Sequence, residues 1–115
     1  MGTNYYAVRD RAPDQPGDPE LDRLHIGKSS AGWPFNFRAH ERLGLVDWPS
    51  WRRNLSRPGI RIVNEYRDQL TVEGMDNKVV GARDRWQGAN VQNGLERGWF
   101  FLTLDGDLCS HTDFI

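Results

Sequence analysis

The chain has 115 residues, enough for about one domain with a single core. Hydrophobic residues make up 37% and charged residues 27%, mean hydropathy is -0.73, and no run approaches the ~18 apolar residues of a membrane span. The net charge of -1 argues against a general nucleic-acid binder, yet residues 23–62 hold 8 basic and 2 acidic groups (+6), against -3 for residues 1–22 and -4 for residues 63–115.

The start, M-G-T-N-Y-Y, lacks the basic and then apolar run of a signal peptide, and Tyr6 stands where a myristoylation signal needs Ser or Thr. A cytoplasmic location is expected. A short extended segment over Thr3 to Val8 leads into D-R-A-P-D-Q-P-G-D-P-E, whose three prolines and four acids predict a surface loop over residues 9–22. In R-L-H-I-G-K, Leu24 and Ile26 alternate with Arg23 and His25 as a half-buried strand requires. W-P-F-N-F-R repeats the pattern, with Trp33, Phe35 and Phe37 on one face and Pro34, Asn36 and Arg38 on the other. The small residues K-S-S-A-G between them predict a hairpin.

D-W-P-S-W-R-R-N-L-S reads as a helix with Asp47 as N-cap, Pro49 in the first turn, and Trp48, Trp51 and Leu55 on one stripe. I-R-I-V-N-E-Y is β-branched and extended, and a second helix starts at Thr71 with Val72, Met75 and Val79 buried and Gly81 ending it. Residues 82–97 are polar with two glycines and predict a long loop; the end is a strand, an Asp-Gly turn and a closing strand. The expectation is one α+β domain over residues 1–115, a mostly antiparallel sheet of hairpins with two short helices.

One segment carries the chemistry. L-H-I-G-K-S-S-A-G-W at residues 24–33 contains G-K-S-S, but a phosphate-binding P-loop needs a further glycine where Asp22 stands and a helix where A-G-W-P-F follows. That reading is discarded. A turn from Gly27 to Gly32 still gathers backbone N-H groups, the Ser29 and Ser30 hydroxyls and the Lys28 ammonium, as an anion nest does. Strand parity puts Arg23, His25, Asn36 and Arg38 on the same outer face beside that turn, with Trp33 available to stack on a base. The competing reading is a solvated sheet face, with the aromatic residues of the middle third forming the core.

M-G-T-N-Y-Y at 1–6 and L-H-I-G-K-S-S-A-G-W at 24–33, followed by Phe35, resemble a family of small, functionally uncharacterised proteins of tailed bacteriophages; I-V-N-E-Y at 62–66 and the H-T-D-F ending fit it more loosely. The resemblance implies a phage origin and a role toward host machinery or defence. Relatives often carry a Cys-x-x-Cys pair between the two blocks, suggesting a small metal knuckle. Here the interval has no cysteine, so neither a metal nor another cofactor is expected.

The leading expectation is a non-enzymatic binding protein for a small phosphorylated ligand, a nucleotide signal, with membrane and nucleic-acid partners not expected. A second is an inhibitor or adaptor docking on a host defence protein through Trp48, Trp51 and the basic helix. A third is a metal-dependent phosphodiesterase using His25, His40 and His111 with Asp105, Asp107 and Asp113, although no third ligand is specified and Asp105 and Asp107 look like turn residues. No nucleophile is marked: Cys109, the single cysteine, reads as a small packed residue, and Glu65 as the partner of an arginine.

Overall fold

The computed structural model describes residues 2–10, 22–30, 33–83, 95–98, 101–103, 105 and 107–110. Its strands are β1 (Gly2–Arg9), β2 (Arg23–Ser30), β3 (Asn36–Arg38), β4 (Ile60–Asn64), β5 (Gln69–Leu70), β6 (Phe101–Leu102) and β7 (Leu108–Ser110), with helices α1 (Trp48–Leu55) and α2 (Val72–Gly81). They form one sheet in the order β5-β4-β1-β2-β3-β7-β6. Every neighbouring pair is antiparallel except β3 with β7, so the fold is α+β with a mostly antiparallel sheet.

β1 is an interior strand, paired with β2 on one side and with β4 on the other. Its alternation sorts the two faces: Tyr5 and Ala7 are buried, while Asn4, Tyr6 and Val8 are half-buried on the opposite side. Beside it, β2 carries one residue too many. Tyr5 lies opposite Gly27 and Tyr6 opposite His25, leaving Ile26 as the extra residue of a β-bulge. The bulge lets Ile26 and Gly27 both be buried, and it changes the parity of everything that follows in β2.

Both helices lie over the face that holds Tyr5 and Ala7, because their buried residues join one cluster with Ile26, Phe35, Phe37, Ile62 and Cys109. In α1, Asp47 accepts from the Ser50 N-H at 2.9 Å and the Ser50 hydroxyl accepts from the Asp47 N-H at 3.1 Å, a reciprocal cap on two otherwise orphaned donors. Trp48, Trp51 and Leu55 are buried as their spacing requires. In α2, Thr71 accepts from the Gly74 N-H at 3.0 Å, and Met75 and Val79 are buried. The Trp48 indole N-H donates to Asp76 at 2.7 Å and so ties α1 to α2.

Three expectations need correction, and a fourth gains a partner. The strand expected from Trp33 starts only at Asn36: Pro34 has no N-H for a ladder and is itself fully buried. Arg9 belongs to β1 and not to a loop; residues 11–21 of the expected 9–22 loop lie outside the described residues. At the start of the expected 82–97 loop, Ala82 is the buried cap of α2, and Arg83 reaches a buried carboxylate; residues 84–94 lie outside the described residues. The closing hairpin forms, but β7 also pairs in parallel with β3, a long-range contact that the local pattern does not encode.

Candidate functional site

The expected turn from Gly27 to Gly32 is not a turn over its first four residues. Gly27, Lys28, Ser29 and Ser30 are strand, in register with Tyr5, Asn4, Thr3 and Gly2 of β1, and Gly27 and Lys28 also pair with Phe37 and Asn36 of β3. Ladder pairing engages the backbone that an anion nest would have to turn toward its ligand. Gly27 has a packing reason instead: a Cβ there would sit 2.3 Å from the Asn36 carbonyl oxygen and 2.6 Å from the Phe35 ring. Gly32 lies outside the described residues. Half-buried Trp33 follows, its N-H donating to the Ser30 carbonyl at 3.1 Å.

The convergence of polar side chains on one sheet face does occur, by a different route. Arg23 and His25 lie opposite Val8 and Tyr6, on the side of the sheet away from the helices. An unbroken strand would then put Lys28, three residues after His25, on the core side. The bulge at Ile26 brings it back, in register with Asn4 and Asn36. Arg38 follows Asn36 by two residues on the same face.

Beside Arg23 and His25 on this face stand two side chains outside the expected set, Asn4 and Tyr6. The Tyr6 ring stacks on His25 with centroids 5.1 Å apart and planes 28° from parallel, and the Arg23 guanidinium lies 4.2 Å from the Tyr6 ring centre. His25 Nε2 is 2.9 Å from Asn4 Oδ1. The result is a row, Arg23, Tyr6, His25, Asn4, running across two adjacent strands. Its signal was present in the sequence as the alternation of Asn4, Tyr6 and Val8, but only the register says that Tyr6 meets His25. Lys28 lies along Gly2, where a Cβ would come within 2.5 Å of its Cε, so the glycine makes room for the lysine stem.

The surrounding groups hold this face in place. His40 Nε2 donates to the His25 carbonyl at 3.0 Å, which fixes the proton on that nitrogen, and its ring meets Trp51 edge-on at 5.5 Å. The Asn4 N-H donates to Glu65 at 2.9 Å, so Glu65 serves a backbone amide where an arginine partner was expected. Arg38 donates to the Ala39 carbonyl, and the Ser110 hydroxyl donates to Asn36 at 3.0 Å.

Other expected chemistry is redistributed. Trp48 and Trp51 are 3% and 0% exposed, so neither is a surface anchor for a partner. Asp107 is fully buried and takes both arms of the Arg83 fork, at 3.0 and 3.1 Å; burial pushes its carboxyl upward, and the guanidinium opposes that shift. Thr103 and Asp107 bond across the hairpin, so Asp107 is structural. Burial pushes the Cys109 thiol up to about 12, which removes it as a nucleophile near neutral pH. Among the described residues no three His, Cys, Asp or Glu side chains cluster as metal ligands would; His111 and Asp113 lie outside them.

No protein-family model matches the chain, and neither a curated protein nor a solved structure does. The site must speak for itself. No helix among the described residues is long and apolar enough to cross a membrane.

Proposed function

We propose that the face of the sheet away from α1 and α2 captures a small phosphorylated ligand with an aromatic base, a nucleotide, and releases it unchanged. The observation that carries this reading is the row Arg23, Tyr6, His25, Asn4, with Lys28, Asn36 and Arg38 on the same face. A base stacks on a ring or on a guanidinium plane regardless of its identity, while cations and amides supply charge-assisted bonds to phosphate. The aromatic element is then the Tyr6 and His25 pair, with Trp33 beside the hairpin connection. The resemblance of residues 1–6 and 24–33 to phage proteins adds the biological side: trapping a nucleotide signal of host defence in the cytoplasm of the infected cell.

Titration calorimetry with mononucleotides, cyclic dinucleotides and inorganic phosphate tests the proposal, with amide resonances locating the site. Nucleotide binding is expected to be tighter than phosphate binding, to shift Tyr6, His25 and Lys28, and to weaken roughly ten-fold or more in the Arg23→Ala/Lys28→Ala variant. Absence of heat together with unmoved resonances at those residues overturns it.

A second reading, docking on a host protein, draws on a different observation. Tyr66 is 67% exposed on the turn after β4, where Asn64 Oδ1 accepts from the N-H groups of Tyr66 and Asp68, both at 2.9 Å. A braced turn offers a tyrosine ring at low ordering cost. In that reading Tyr66→Ala abolishes co-purification of the host protein, and Tyr6→Ala does not.

A further inference from the structure

The opposite side of the molecule carries a concavity that the nucleotide reading does not use. It has a volume of about 370 Å³ and lies between the C-terminal half of α1, the segment around Leu45 and the ends of β1, β2 and β4. Its floor is aliphatic: Ala7, Leu24, Leu45 and Ile60. Arg53, Arg57 and Arg9 stand around it. The size falls toward the lower end of the usual range for small-molecule sites.

Four arginines are held by carboxylates among the described residues. Arg9 is paired with Asp22 at 2.8 Å, Arg61 with Asp10 at 2.9 Å, Arg52 with Asp76 at 3.4 Å and Arg83 with Asp107 at 3.0 Å. Arg53, in the last turn of α1, and Arg57, two residues beyond its end, have no acidic partner among the described residues, and both line the hollow. The C-terminal end of a helix favours cations, which accounts for basic residues at this point of the chain. It does not account for an apolar hollow beneath them. Among the described residues the lining holds no aromatic ring, so a stacked base is not what this hollow fits.

We infer that the hollow is a second binding site, for an anionic amphiphile. The acidic head lies between the guanidinium groups of Arg53 and Arg57, and a compact aliphatic body covers Leu24, Leu45 and Ile60. Arg9, already neutralised by Asp22, forms a wall and contributes little to head-group recognition. Head and body are recognised by separate surfaces, so each is needed for affinity.

The probes are hexyl phosphate, hexanoate, hexanol and inorganic phosphate, titrated into the whole chain with amide resonances as the readout. Hexyl phosphate and hexanoate are expected to shift Leu45, Asn54 and Ile60 while leaving Tyr6 and Lys28 in place, which separates this site from the sheet face. Inorganic phosphate and hexanol are expected to bind at least about ten-fold more weakly, since each lacks one half of the recognition. The Arg53→Ala/Arg57→Ala variant is expected to lose roughly ten- to hundred-fold in affinity for hexyl phosphate, the scale of two partly exposed charge-assisted bonds. Arg42→Ala, which removes an exposed cation outside the lining, is expected to change nothing. The inference is overturned if hexyl phosphate binds no better than phosphate, if the double variant binds it as well as the parent, or if the shifts appear on the sheet face.

Discussion

Replacing Gly27 by Ala separates two explanations of the same glycine. As part of a phosphate nest, it would tolerate a methyl group with little loss of stability and a large loss of binding. As a packing residue it cannot. The new Cβ would meet the Asn36 carbonyl oxygen at 2.3 Å and the Phe35 ring at 2.6 Å, whereas relaxed contacts lie near ~3.5 Å, so β3 would have to retreat by roughly 1 Å. The short β3 is held by β2 at Gly27 and Lys28 and by β7, and Phe35 and Phe37 are 1% and 0% exposed, so there is no slack on either side. Overpacking of this kind costs about 1–3 kcal/mol. In a chain of this length, that lowers the melting temperature by roughly 5–15 °C. Thermal unfolding followed by circular dichroism reads the difference directly, with Ser29→Ala as the control that alters the same segment without a clash. A melting temperature within about 1 °C of the parent, combined with loss of nucleotide binding, would refute the packing argument and restore the nest.

Asp107→Asn should destabilise by about 2–4 kcal/mol in denaturant titration, because it leaves the Arg83 fork facing a neutral amide at a fully buried position; Arg83 is itself partly exposed, which keeps the loss below the highest values for buried pairs. Asp47→Ala removes the reciprocal cap of α1 and should cost about 1 kcal/mol in the same assay. Because the folded thiol of Cys109 is raised to about 12 from 9.0, its contribution to stability is complete below pH 9 and is lost as pH rises toward 12. The melting temperature should therefore fall more steeply between pH 9 and 11 in the parent than in Cys109→Ala. Native protein should also resist iodoacetamide at pH 8 until denatured.

The sequence by itself determined the parts that depend on neighbours along the chain. The caps at Asp47 and Thr71, the buried stripes Trp48, Trp51, Leu55 and Met75, Val79, and the alternation of Tyr5 and Ala7 with Tyr6 all follow from helical or strand periodicity and local hydrogen bonding. The outward placement of Arg23, His25, Asn36 and Arg38 was legible for the same reason. Lys28 was not, since its face depends on the bulge at Ile26, and a bulge exists only in the pairing of two strands. Likewise, the meeting of Tyr6 with His25, the parallel seating of β7 on β3 and the Arg83 fork on Asp107 join residues far apart in sequence. Periodicity gives each element its inner and outer sides, but it carries no information about which elements become neighbours or in what register. The tertiary structure alone decided that G-K-S-S is strand and that the row on the face away from α1 and α2 begins with Arg23 over Tyr6.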